Sequence, residues 1–213
     1  MDIYTELALL AIAYILGSIP NALIVGKLFY NIDVREHGSK NMGATNTFRI
    51  LGAKAGFTVF FLDLFKGFLL ISLFTLDIIK VEPTHFPIIC FGIISVFGHI
   101  FPVFSRFKGG KGVACTAGFI LAYAPWCFLI GLAVFSLTLF FTKYVSVSSL
   151  ATILSMLISS FFISTLLTTA PDWYFTIFCA VLTIALFVSH RKNIYRLIHK
   201  TESKFYFKKN KQK

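Results

Sequence analysis

The stretch VACTAGFILAYAPWCFLIGLAVFSLTLFFT (residues 113–142) is apolar throughout, with Pro125 near its middle. One bilayer crossing takes about 20 apolar residues, within a range of about 17–25. Residues 113–142 exceed that range, and a proline inside a helix is a natural place to divide it. Flanking charge decides between one helix and two. Lys27, Arg35, Lys40, Arg49 and Lys54 mark the first polar loop as cytoplasmic, and Arg106, Lys108 and Lys111 mark the loop after the third span in the same way. The basic C-terminal segment belongs on that side too. One helix over 113–142 gives six crossings and strands the basic tail outside. Two shorter helices, over 113–124 and 126–142, give seven and bring Lys143 and the tail inside. The expected fold is therefore an all-α polytopic membrane protein of about seven transmembrane helices, N-terminus outside and C-terminus cytoplasmic. A single integral-membrane domain is expected over 1–197, followed by a basic cytoplasmic tail over 198–213.

The other expected spans are 7–30, interrupted at Gly17-Ser18-Ile19-Pro20, then 56–79, 86–104, 148–168 and 173–189. Composition agrees with this reading. The 213 residues are 57% hydrophobic with 26 phenylalanines and only 14% charged, at a mean hydropathy of +0.80, whereas soluble domains are nearer about a quarter charged. Asp2 and Glu6 precede the first apolar run where a signal peptide would carry Lys or Arg, so a retained first helix is expected. Cys90, Cys115, Cys127 and Cys179 lie inside apolar runs and read as small packed hydrophobes. The net charge of +11 gathers in HRKNIYRLIHKTESKFYFKKNKQK (190–213). It suits anionic lipid headgroups, and no soluble fold is present to offer it to nucleic acid.

An odd crossing number puts three polar segments on one membrane face. In GSKNMGATNTFR (38–49), Ser39, Thr45 and Asn46 supply hydrogen bonds, Gly38 and Gly43 allow close backbone approach, and Arg49 can grip a phosphate with two N–H groups. The plainer alternative makes Thr45 or Asn46 the N-cap of the helix that follows. In FKGGKG (107–112), Lys108 and Lys111 flank Gly109 and Gly110 and lead into a helix at Val113, whose N–H groups favour an anion. In SHRKNIYRL (189–197), His190 and Asn193 fall at i,i+3, while Arg191, Lys192 and Arg196 suit a membrane-edge anchor. Asp63 and Lys66, also i,i+3, lie within a span and are expected to neutralise each other in support of the site. His99 reads as a hydrogen-bonded helix end; His37, His85 and His199 receive no role. Neither a metal-ligand cluster nor a nucleophilic triad is apparent, and no cofactor is expected.

In order and spacing, GSIP (17–20), GSKNMGATNTFR (38–49), DLFKG (63–67), GHIFPVFSRFKGGKG (98–112) and HRKNIYRL (190–197) resemble the bacterial integral-membrane acyl-phosphate:glycerol-3-phosphate acyltransferases. The resemblance runs from near residue 17 to 197. That family usually has glycine where Lys40 stands, so a turn that relies on glycine there would be strained.

The resemblance implies transfer of a fatty acyl group from acyl phosphate to the sn-1 hydroxyl of glycerol 3-phosphate. The products are lysophosphatidic acid and phosphate, at the cytoplasmic face of a bacterial inner membrane, in the first step of phospholipid synthesis. Neither acyl-CoA nor acyl carrier protein is expected as donor. None of the five histidines has Asp five positions on, so the His-x4-Asp pair of the other glycerolipid acyltransferase class is missing. By the same resemblance, Arg49, Lys111, His190 and Asn193 hold glycerol 3-phosphate. Ser39, Thr45 and the backbone around Gly109 and Gly110 cradle the acyl phosphate, with Gly38, Asn41, Gly43, Asn46 and Lys108 completing the binding segments. The competing class is a transporter or flippase of a phosphorylated small molecule. The absence of repeated halves argues against the commonest transporter plans.

Overall fold

The computed structural model describes residues 1–79, 83–168 and 172–206; the tail's last seven residues, 207–213, lie outside them. Ten α-helices are present among the described residues: α1 (Ile3–Ser18), α2 (Asn21–Tyr30), α3 (Ala44–Leu51), α4 (Ala53–Thr75), α5 (Ile89–Ile100), α6 (Val113–Tyr123), α7 (Pro125–Thr142), α8 (Val145–Thr168), α9 (Trp173–Ser189) and α10 (Arg191–Ile198). The long apolar run does divide at its proline, α6 ending at Tyr123 and α7 starting on Pro125, where a missing N–H costs nothing. Three helices (α4, α7 and α8 over Val145–Phe162) are long and apolar enough to cross a bilayer, or up to five if α1 with α2 and α9 with α10 each count as one bent span. Helices α5 and α6 are apolar but shorter.

The chain forms two compact units, Met1–Tyr123 and Ala124–Lys213. In the first, α1 packs on α5 and α4 on α6. Each crossing has a glycine from both helices at its closest point. A Cβ on Gly17 would land on the Ser95 carbonyl, and one on Gly98 on the Tyr14 carbonyl. Likewise Gly67 lies against the Cys115 carbonyl and Gly118 against that of Leu64. In an apolar setting, helix association relies on such close backbone packing. In the second unit, α7 packs on α8 and α8 on α9, with Gly131 set against Thr152 and Met156.

Glu6, expected only to flank the first apolar run, is instead fully enclosed. Its carboxylate accepts backbone N–H bonds from Thr84 at 2.7 Å and Phe86 at 2.9 Å, and from His85. It thereby ties the start of α1 to the segment that precedes α5.

Candidate active site

The site begins with a broken helix. Proline disfavours helical backbone at the residue before it, and Ile19 accordingly turns extended (φ −58°, ψ 116°) between α1 and α2, which meet at 41°. The break exposes the Ile19 carbonyl, which in an apolar layer must find a donor. Lys66 of α4 supplies it, Nζ to oxygen 2.8 Å. The same ammonium lies 3.0 Å from Asp63 Oδ1, which also accepts from Asn21 Nδ2 at 3.0 Å. Asp63 and Lys66 therefore pair as expected, and the pair also closes the GSIP break. The Pro20 kink and the intramembrane charges are one structural unit.

The first polar loop carries a helix that periodicity did not reveal. Eight residues, Ala44–Leu51, form α3, too short to show a repeat, with Gly43 at its N-cap position. Neither Thr45 nor Asn46 caps a helix, and α4 starts from Gly52. Val34 and Met42 sink between α2 and α4 beside Ala22, Val25, Ala55 and Val59 and hold the loop down. Asn46, 2% exposed, staples it: its Oδ1 accepts from Ser39 N at 2.8 Å, and its Nδ2 donates to the Val34 and His37 carbonyls. Gly38 is left-handed (φ +60°), and a Cβ there would meet Asn46 Oδ1. Ser39 and Arg49 are exposed, and Asn41, Gly43 and Thr45 half-buried. Asp33 accepts from Arg35 at 2.9 and 2.6 Å and lies 3.4 Å from Lys27. The Arg35 guanidinium holds the Asp33 carboxyl well below the usual carboxylate range.

Lys40 is left-handed at φ +60°, the conformation that glycine adopts without steric cost. Lys40 thus stands in a conformation that the glycine expected from the resemblance would adopt freely, and the loop keeps its turn at some expense. Lys40→Gly is expected to leave stability unchanged or raise it by up to about 1 kcal/mol, whereas β-branched Lys40→Val lowers it by about 1–2 kcal/mol. Thermal unfolding in detergent checks the sign of each.

The second polar segment follows α5. Two consecutive left-handed residues, Arg106 and Phe107 (φ 56° and 57°), reverse the chain. Ser105 Oγ locks the turn by donating to the Lys108 carbonyl at 2.9 Å. Gly109 and Gly110 then lie on the backbone of His99 and Ile100 and on the ring of His99, with no room for a Cβ. Gly110 N donates to the His99 carbonyl at 3.2 Å. Lys108 is exposed and Lys111 half-buried. Ile19, Asn21, Met42, Asp63, Lys66 and Gly110 are among the residues around a small open recess. The first two polar segments therefore come together within the first unit.

The third segment lies in the second unit, where α9 turns by 58° into α10. His190 sits at the bend, and its Nδ1 donates to the Leu186 carbonyl at 2.9 Å, which fixes the ring's orientation. Asn193 is buried and donates Nδ2 to Glu202 Oε1 at 2.7 Å. Arg196, expected as a surface anchor, instead donates Nε to Glu202 Oε2 at 2.6 Å, and Ser146 of α8 donates to the same carboxylate at 3.1 Å. Sequence reading missed Glu202, since one acidic residue in a basic tail follows no motif. Burial would raise its carboxyl, but the Asn193 and Arg196 hydrogen bonds prevail and hold it below the ordinary glutamate value. A carboxyl so lowered stabilises the fold above its unfolded pKa, and the effect fades as pH falls through the folded value. Glu202→Gln should therefore unfold at a lower temperature than wild type at neutral pH, and the gap should narrow as pH falls below the ordinary glutamate range and close once the folded carboxyl is protonated.

The chain matches the family described as glycerol-3-phosphate acyltransferase over residues 7–200. It is 46% identical over 205 residues to a glycerol-3-phosphate acyltransferase of Bacillus cereus (strain G9842), covering 96% of this chain and 98% of the relative. It is also 46% identical over 196 residues to the glycerol-3-phosphate acyltransferase of Bacillus subtilis (strain 168), covering 92% and 95%. Its fold is similar to the crystal structure of PlsY, an integral membrane glycerol 3-phosphate acyltransferase, in the glycerol 3-phosphate form. That likeness has a TM-score of 0.82 at 34% identity and covers 95% of this chain and 96% of that one. The lysophosphatidic acid form of PlsY gives 0.80 at 33% identity. Fold and site thus define an all-helical integral membrane acyltransferase. The chain belongs to the glycerol-3-phosphate acyltransferase family.

Proposed function

We propose that this protein acylates the sn-1 hydroxyl of glycerol 3-phosphate with acyl phosphate as donor. The observation that carries the reading is the glycine turn at 109–110, seated on the His99 backbone and flanked by Lys108 and Lys111. Lys108 and Lys111 offer cations to a phosphate there, and the glycines let it approach the backbone, while the Gly110 N–H itself stays on the His99 carbonyl. Arg49, Lys111, His190 and Asn193 hold glycerol 3-phosphate. Ser39, Thr45 and the Gly109–Gly110 backbone take the phosphate of the donor, while Asn46 and Gly38 shape the first loop. In the transfer, the sn-1 oxygen attacks the acyl carbonyl carbon, a C–O ester bond forms, and the bond from that carbon to the phosphate oxygen breaks. The hydroxyl proton leaves with the released phosphate. The donor is already activated, so positioning and charge stabilisation supply the catalysis.

Counted with α5 and α6, the two bent pairs and three long helices give seven crossings of a bacterial inner membrane, with the active site cytoplasmic. A cysteine placed at Lys143, the C-cap of α7, should be labelled from the cytoplasmic side only; labelling from outside overturns the seven-span topology. The function itself is tested with purified protein in detergent, given labelled acyl phosphate and glycerol 3-phosphate. Formation of lysophosphatidic acid supports the reading. No product in detergent together with glycerol 3-phosphate uptake into liposomes refutes it in favour of transport.

A further inference from the structure

His99 stands between the buried ion pair and the glycine turn. The side chain is 5% exposed, and its Nδ1 lies 3.6 Å from Asp63 Oδ1, beyond hydrogen-bonding distance, leaving that buried nitrogen without a hydrogen bond. On its other side the imidazole touches Gly110 so closely that a Cβ could not be placed there. Its own carbonyl accepts from Gly110 N at 3.2 Å. His99 also lines the recess shared by Asp63, Lys66, Gly110 and, from the first polar loop, Met42. A buried polar atom left unpaired is uncommon and asks for a cause. Here the cause is visible in the geometry. The ring is wedged by the turn at one end, and a small movement at the other would complete a hydrogen bond to a carboxylate that Lys66 and Asn21 already hold rigid.

We infer that His99 is a positioning residue: it transmits the fixed Asp63–Lys66 pair to the Gly109–Gly110 turn and so sets the turn's grip on the donor's phosphate. This rests on the proposed function, which assigns that turn to the acyl phosphate. When a bound phosphate shifts the turn, the ring follows Gly110, whose N–H stays on the His99 carbonyl, and the Nδ1–Asp63 separation closes to a hydrogen bond. Catalytic contacts of this kind commonly tighten only on ligand binding. The role explains why a histidine at the end of α5 is buried beneath glycines rather than capping the helix into water.

The test is steady-state kinetics of the full-length protein in detergent, varying each substrate separately. His99→Asn and Asp63→Asn should each raise KM for acyl phosphate by about tenfold or more, with kcat and KM for glycerol 3-phosphate within about threefold of wild type. The double variant should be no worse than the more impaired single one, because the two residues act as a unit. Asp63→Asn leaves position 99 itself untouched, which keeps the inference testable if position 99 tolerates no substitution. An unchanged KM, an equal rise for both substrates, or multiplicative effects in the double variant would overturn it. Wild-type protein inactive on acyl phosphate would instead remove the functional reading itself, so the two failures are distinguishable.

Discussion

Arg49→Ala and Lys111→Ala should each lower kcat/KM by about 10²–10³-fold or more while the protein still purifies as a folded species. Both side chains are long cations on segments whose shape is set by other residues. Asn46 and Met42 fix the first loop, and the His99 backbone and Ser105 fix the second. On the proposed reading, truncating either cation removes charge from the phosphates while these scaffold contacts stay in place. A charge aimed at a developing anion in a dehydrated site has an effect of this size. Lys111→Arg should keep part of the activity, since charge survives but the point geometry does not. The measurement is turnover of each variant beside its thermal unfolding curve. Near-normal rates in either alanine variant would remove that residue from the site.

Gly118→Val should prevent the first unit from forming. Its missing Cβ is what lets α6 reach the Leu64 carbonyl of α4, as Gly67 does in return at Cys115. Two more methyl groups and a Cβ would have to displace backbone, not a flexible side-chain end. Gly17→Val meets the same obstacle at Ser95. Each should cost about 3 kcal/mol or more, the upper part of the range for overpacking. The expected outcome is loss of monodisperse protein after detergent extraction. Gly52→Ala provides the contrast in available space, since no atom lies within 4 Å of a Cβ there, so its cost is backbone strain alone, about 1–3 kcal/mol at φ 91° and ψ −177°. Normal yield and melting temperature for Gly118→Val would show that the α4–α6 crossing is looser than described.

Much of the helical plan was legible because a bilayer imposes length and apolarity on every crossing. Pro125 divided its run where expected, and Pro20 broke the first span. What periodicity could not reveal were features made by tertiary contact. Helix α3 is eight residues long, and its Asn46 reads like a ligand or a cap until its amide is seen bonded to three backbone groups. The pairing of Lys66 with Asp63 followed from their spacing, but the bond to the Ile19 carbonyl joins residues 47 positions apart. Glu202 was passed over for the same reason, and His99, read as a hydrogen-bonded helix end, instead has a buried Nδ1 without a hydrogen bond. Each gains its meaning from partners brought by other helices or turns: Asn193 and Ser146 for one, Asp63 and Gly110 for the other. The strain at Lys40, by contrast, was anticipated only through the resemblance, whose pattern has glycine there, and the left-handed backbone agrees with it.

The central claim concerns the donor. Purified protein, glycerol 3-phosphate and equal concentrations of either acyl phosphate or acyl-CoA should be followed for ester and inorganic phosphate together. One phosphate released for each ester formed with acyl phosphate, and no ester with acyl-CoA, is the predicted result. Comparable esterification from acyl-CoA, or phosphate release without ester, would contradict it.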